Sequence, residues 1–117
     1  MTGCVLRAGG PTFAPEAFLA AFPIPNAHPR GTSLNISIGD SDGADLAGQI
    51  RDAILFLTAN SQAVEALVGE PSVGVSLDFG LWLKDTYTHS VSFPPVLTAL
   101  AGALGIGLDA SLYPAAP

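Results

Sequence analysis

From Val73 onward the chain alternates hydrophobic and polar positions: Val73, Val75, Leu77, Phe79, Leu81 and Leu83 share one parity, against Gly74, Ser76, Asp78, Gly80, Trp82 and Lys84. A period of two belongs to an extended strand with one face buried. This segment is therefore expected to be a single long strand. Leu34, Ile36 and Ile38 alternate with Ser33, Asn35 and Ser37 in the same way. Near the end, Ile106, Leu108, Ala110 and Leu112 oppose Gly107, Asp109, Ser111 and Tyr113. A shorter strand from Gly3 to Ala8 stops at Gly9-Gly10-Pro11, a cluster that breaks a ladder. Its parity places Cys4 and Leu6 inward, with Val5 and Arg7 outward.

Between these strands the period lengthens to that of a helix. Pro15 and Glu16 suit a first turn, and Phe18, Leu19 and Phe22 recur at helical spacing until Pro23. Pro23, Pro25 and Pro29 predict an extended connection, with Arg30-Gly31 as a turn. After the oxygen-rich Asp40-Ser41-Asp42-Gly43, the residues Leu46, Ile50, Ala53, Ile54 and Leu57 form one stripe of a helix of about four turns. Asn60 and Ser61 interrupt it and cap a shorter segment, with Val64, Leu67 and Val68 inward, that stops at Gly69 and Pro71. A polar stretch from Asp85 to Ser92 is expected to be a loop. Pro94-Pro95 then opens a last helix through Leu97, Leu100 and Leu104, with Gly105 at the place of a left-handed cap.

The predicted order is β-α-β-α-β-α-β, with no internal repeat and no linker. Three strands have one apolar and one polar face, whereas a parallel sheet covered on both sides shows continuous apolar runs. The expected fold class is thus α+β: a two-layer sandwich with a four-stranded sheet and its helices packed on one face. Residues 1–113 are expected to form one domain and residues 114–117 a frayed tail. The polar parity gathers Arg7, Ser33, Asn35, Ser37, Ser76, Asp78, Trp82, Asp109, Ser111 and Tyr113 on the open face.

Composition narrows the classes of function. The chain has 117 residues, 49% of them hydrophobic, which is enough for one core. Four basic against ten acidic side chains leave a net charge of -6, which disfavours a nucleic acid or an anionic membrane as partner. The single cysteine, Cys4, excludes an internal disulfide and fits a reducing, cytoplasmic compartment. Thr2-Gly3-Cys4 resembles the box before a lipidated cysteine, but no basic region or apolar stretch precedes it, so an export signal is not expected. The longest apolar run, Val96 to Leu108, carries three glycines and falls short of the roughly 20 residues that cross a bilayer.

No motif declares a chemistry, and neither catalytic residues, nor a metal, nor a cofactor is expected. Asp40, Asp42 and Asp45 form an acidic cluster, yet an EF-hand requires glycine at its sixth position and glutamate at its twelfth, where this chain has Asp45 and Arg51. Helix capping accounts for these carboxylates, and as a patch they suit a basic protein. His28 and His89 lie in separate predicted loops without ligands at zinc spacing. Cys4 belongs to the core by parity, and no G-x-S-x-G elbow is present. Gly102-Ala103-Leu104-Gly105-Ile106-Gly107 runs from helix to strand, the reverse of the order that aims amides at a phosphate. Asp78 and Asp109 remain a conceivable carboxylate pair.

Four passages carry a family likeness: Cys4-Val5-Leu6-Arg7; Arg30-Gly31; the helix with Gln49-Ile50 and Ala53 to Leu57; and the end, from Phe93-Pro94-Pro95 through Leu100-Ala101 and Leu104-Gly105-Ile106 to Ser111-Leu112-Tyr113. On these the chain resembles a family of small bacterial domains of unknown function. It departs from that family in lacking a tryptophan after Arg30-Gly31. The resemblance implies a bacterial cytoplasmic domain without recognised catalysis, of the kind that serves as an immunity or adaptor protein. The leading expectation is a non-enzymatic protein that binds a basic partner through Arg7, Asn35, Asp78, Trp82, Asp109 and Tyr113 of the open face and through Asp40, Asp42 and Asp45. Two others stand beside it. One is a homodimer joined through Trp82 and Tyr113, and the other a small hydrolase or ligand carrier using Asp78 and Asp109, with His89 reaching in.

Overall fold

The computed structural model describes residues 3–83 and 90–114. Lys84, the part of the predicted loop from Asp85 to His89, and the tail beyond Pro114 lie outside the described residues. Nine elements follow in chain order: β1 (Gly3–Gly9), α1 (Pro15–Ala21), β2 (Ala27–Arg30), β3 (Ser33–Ile38), α2 (Leu46–Ala59), α3 (Ser61–Val68), β4 (Gly74–Trp82), α4 (Pro95–Leu104) and β5 (Gly107–Tyr113). The fold is α+β, with one open mixed sheet in the order β2-β3-β1-β4-β5. Every adjacent pair is antiparallel except β4 and β5, which α4 connects as a parallel crossover.

The sheet has five strands rather than the expected four. The additional one is β2, Ala27-His28-Pro29-Arg30, expected as a proline-stiffened connection and His28 as a loop residue. It pairs with β3, setting His28 against Asn35 and Pro29 against Leu34. Proline is tolerated at a sheet edge because its missing N–H can face solvent, and a four-residue edge strand exposed along most of its length carries no period-two signal. The sequence order is accordingly β-α-β-β-α-α-β-α-β. The long strand ends at Trp82, two residues short of the expected Lys84.

Register aligns the apolar parity across the sheet. Cys4 lies between Ile38 and Phe79, Leu6 between Ile36 and Leu77, and Ala8 between Leu34 and Val75. All but Val75 are buried. The helical stripes close over this side: Ala53 and Leu57 of α2, Val64 and Leu67 of α3, and Leu97 and Ala101 of α4 are buried in the same cluster. Phe13 and Phe18 pack 6.2 Å apart, and Phe93 covers Phe79 at 5.0 Å between ring centroids. Gly105 takes the left-handed cap of α4 at φ 80°, which delivers Ile106 to the core and the chain into β5. The opposite parity faces away from the helices.

Candidate functional site

The centre of the open face is a carboxylate. Asp78 projects from β4 on the polar parity, yet its residue is only 7% exposed. Arg7 on β1 sits one diagonal step away, since Arg7 pairs with Ser76 and Val5 with Asp78. Its Nε and Nη2 both donate to Asp78 Oδ2, at 3.2 and 3.1 Å. From β5, the Ser111 hydroxyl donates to Asp78 Oδ1 at 2.7 Å. Three strands thus meet on one side chain. Burying an ionised group is costly unless it is paired and hydrogen-bonded, and here both oxygens are engaged.

Around this centre the open face carries the other residues expected there. Asn35 and Ser37 project from β3, and Trp82 and Tyr113 stand in register at the far end of β4 and β5; His28, expected in a loop, joins them from β2 opposite Asn35. A depression of about 330 Å³ lies among Val5, Arg7, His28, Asn35 and Ser37. A neighbouring one of about 280 Å³ shares Val5 and Ser37 and runs to Asp40 and Asp42. The acidic turn therefore rims the open face at one end. On its other side it meets Trp82, whose backbone N–H donates to Gly43 O at 3.1 Å.

The three acidic residues of that turn differ in role. Asp45 caps α2, accepting from Gly48 N at 2.8 Å, and Asp42 accepts from Ala44 N at 2.9 Å. Asp40 is exposed and has no hydrogen-bond partner among the described residues. Gln49, buried on α2, ties the turn to the sheet: its Nε2 donates to Asp42 O at 2.8 Å and to Gly80 O at 3.0 Å, while its Oε1 is buried without a partner among the described residues. In the sequence Gln49 stands only among the residues of the family likeness, with no role of its own. The available signal was its place on the apolar stripe, three residues after Leu46 and four before Ala53.

Two groups with nucleophilic or acid–base potential are placed where they do little chemistry. Burial, reinforced by the negative charges of Asp52 and Asp78, pushes the Cys4 thiol up from 9.0 to about 12. It stays protonated at neutral pH, and the protonated form is not the nucleophile. Asp78 and Asp109 are register partners across β4 and β5, so the structure does set the two residues side by side in the sheet. Asp109 is exposed and unpaired among the described residues, whereas Asp78 has no free oxygen. His89 lies outside the described residues. Among the described residues no group of three His, Cys, Asp or Glu side chains gathers at metal-binding distance, and no helix is long and apolar enough to cross a membrane. Comparison of the chain with protein-family models, curated proteins and solved structures returned no match.

Proposed function

We propose that this protein is a non-enzymatic binding module that meets a basic protein partner with its open sheet face and the adjoining acidic turn, as an immunity or adaptor protein does. The observation that carries this reading is the engagement of Asp78 by Arg7 and Ser111 in the middle of a helix-free face. A partner that covers the centre of this face meets Asp78 already paired, so the desolvation penalty of that carboxylate is offset within the protein, while Asp109, exposed beside it, is left for a cationic group of the partner to meet. Trp82 and Tyr113 supply aromatic area beside it, the residue types enriched among interface anchors. Asp40, exposed at the rim and unpaired among the described residues, adds a negative charge that steers cationic surfaces. A carboxylate with both oxygens occupied is a poor general base, which disfavours the hydrolase reading.

The test is affinity capture from the native cell, comparing the wild type with Trp82→Ala and Asp40→Asn. Asp40 is the informative carboxylate, because Asp42 and Asp45 also hold the turn together. A basic protein captured at one-to-one stoichiometry, and weakened at least tenfold by Trp82→Ala and more modestly by Asp40→Asn, is the expected result. Capture profiles identical for all three proteins refute the proposal.

A further inference from the structure

The two edges of the sheet are built differently. β2 is four residues long and carries Pro29 and Arg30, features that discourage pairing with another chain. β5 is seven residues long and has no proline, lysine or arginine. It is the last strand of the sheet, and among the described residues its only backbone partners are β4 and Leu83. Leu83 N donates to Tyr113 O at 2.6 Å, so Tyr113 turns its carbonyl toward β4. Backbone polarity alternates along a strand. Gly107, Asp109, Ser111 and Tyr113 therefore face β4, and Leu108, Ala110 and Leu112 aim their N–H and C=O groups outward. The helix layer also stops short of this edge: Ala110 is exposed although its parity is inward, and Leu112 is 42% exposed.

We infer that β5 pairs antiparallel with β5 of a second copy of this chain, about a two-fold axis at Ala110, joining two sheets into one continuous sheet. The sequence of β5 is complementary to itself in this register. Leu108 meets the partner's Leu112, Ala110 meets the partner's Ala110, and each of these pairs is of the hydrogen-bonded kind, so every outward N–H and C=O of the three residues finds an acceptor or donor. On the helix side the exposed Leu112 is covered by the partner's Leu108. On the open side Asp109 falls opposite the partner's Ser111 rather than another carboxylate, and Tyr113 lies over the partner's Gly107. Shifting the axis to Asp109 or to Ser111 pairs only residues 107–111 or 109–113, and the first shift sets Asp109 against its own copy, a like-charge opposition that destabilises a sheet. Full overlap and charge favour the same register. This inference stands independently of the proposed partner, because it uses the sheet edge and not the open face.

Sedimentation or light scattering over a dilution series tests it, with the protein otherwise unchanged. The mass is expected to rise with concentration from 11.9 kDa toward twice that value. Ala110→Pro removes an outward N–H that no bond among the described residues uses, so its circular dichroism should match the wild type while its mass stays that of the monomer throughout. Two cysteine variants report the register even where Ala110→Pro disturbs folding. In a hydrogen-bonded pair the Ala110 Cα atoms lie about 5.5 Å apart, within disulfide range, whereas the two Leu112 positions, four residues out of register across the seam, lie about 14 Å apart. Cys4 is buried and does not compete. Mild oxidation should link Ala110→Cys at least tenfold more than Leu112→Cys. The inference is overturned if the wild type is monomeric at every concentration, if a folded Ala110→Pro associates like the wild type, or if both cysteine variants cross-link equally. Loss of association in Trp82→Ala but not in Ala110→Pro places the seam on the open face and overturns it as well.

Discussion

Both oxygens of the Asp78 carboxylate are occupied, Oδ2 by Arg7 and Oδ1 by Ser111, and the three side chains come from three neighbouring strands. Removing Ser111 Oγ leaves one lone-pair site without its donor, so Ser111→Ala is expected to cost about 1 kcal/mol in urea unfolding. Arg7→Ala removes two charge-assisted bonds and is expected to cost about 1–3 kcal/mol, moderated because the Arg7 side chain is 45% exposed and partly screened by water. The two partners of the ion pair should be coupled: Arg7→Ala is expected to cost clearly less in an Asp78→Ala background than in the wild type, and strict additivity would refute the pairing. Cys4 sets a second expectation at this scale. A thiol whose native pKa stands near 12, against 9.0 when free, holds its proton longer in the folded chain. Below pH 9 it leaves stability unchanged; as pH climbs from about 9 toward 12 the unfolded chain ionises first and the native state loses ground. The fall of Tm across that alkaline window should be shallower in Cys4→Ala than in the wild type, whatever the offset between the two at pH 7.

At the scale of elements, the junction of β3, the acidic turn and α2 is held by contacts that leave no space. A Cβ on Gly48 would overlap the Asp45 carboxylate and the Ser41 hydroxyl. Gly48→Ala should therefore show none of the gain of about 1 kcal/mol that alanine usually brings over glycine in a helix, because loss of the cap costs a similar amount. A Gly48→Ala variant more stable than the wild type would show that the cap contributes little. Gln49→Glu at neutral pH places a carboxylate against the two carbonyls that Nε2 now serves, and should be more damaging than Gln49→Leu in the same thermal melt. How much of this was legible follows from the range of each signal. The alternations in β1, β3, β4 and β5 are local, and with them the membership of the open face, from Arg7 and Asn35 to Asp109 and Tyr113, was read before any pairing was known. β2 escaped because a short edge strand containing proline has no alternation to show. The engagement of Asp78 escaped for another reason: it depends on β1 and β5 flanking β4, a long-range order that no local pattern encodes.

At the scale of the molecule, the net charge of -6 acts in opposite directions on the two associations argued above. Two copies of an acidic chain repel one another at long range, and salt screens that repulsion over a Debye length of about 10 Å at 0.1 M. The seam at β5 is made of backbone hydrogen bonds and leucine contacts, which salt weakens little. Self-association is therefore expected to tighten as ionic strength rises from about 0.02 to 0.3 M. Binding of a basic partner to the open face and the Asp40 rim gains from the same charge, and should weaken over that range, mainly through a slower association rate. Measuring both equilibria on one preparation separates the two surfaces without any substitution. Opposite slopes are the expected result. A dimer that dissociates as salt rises would mean that charged contacts, not the β5 edge, hold the copies together.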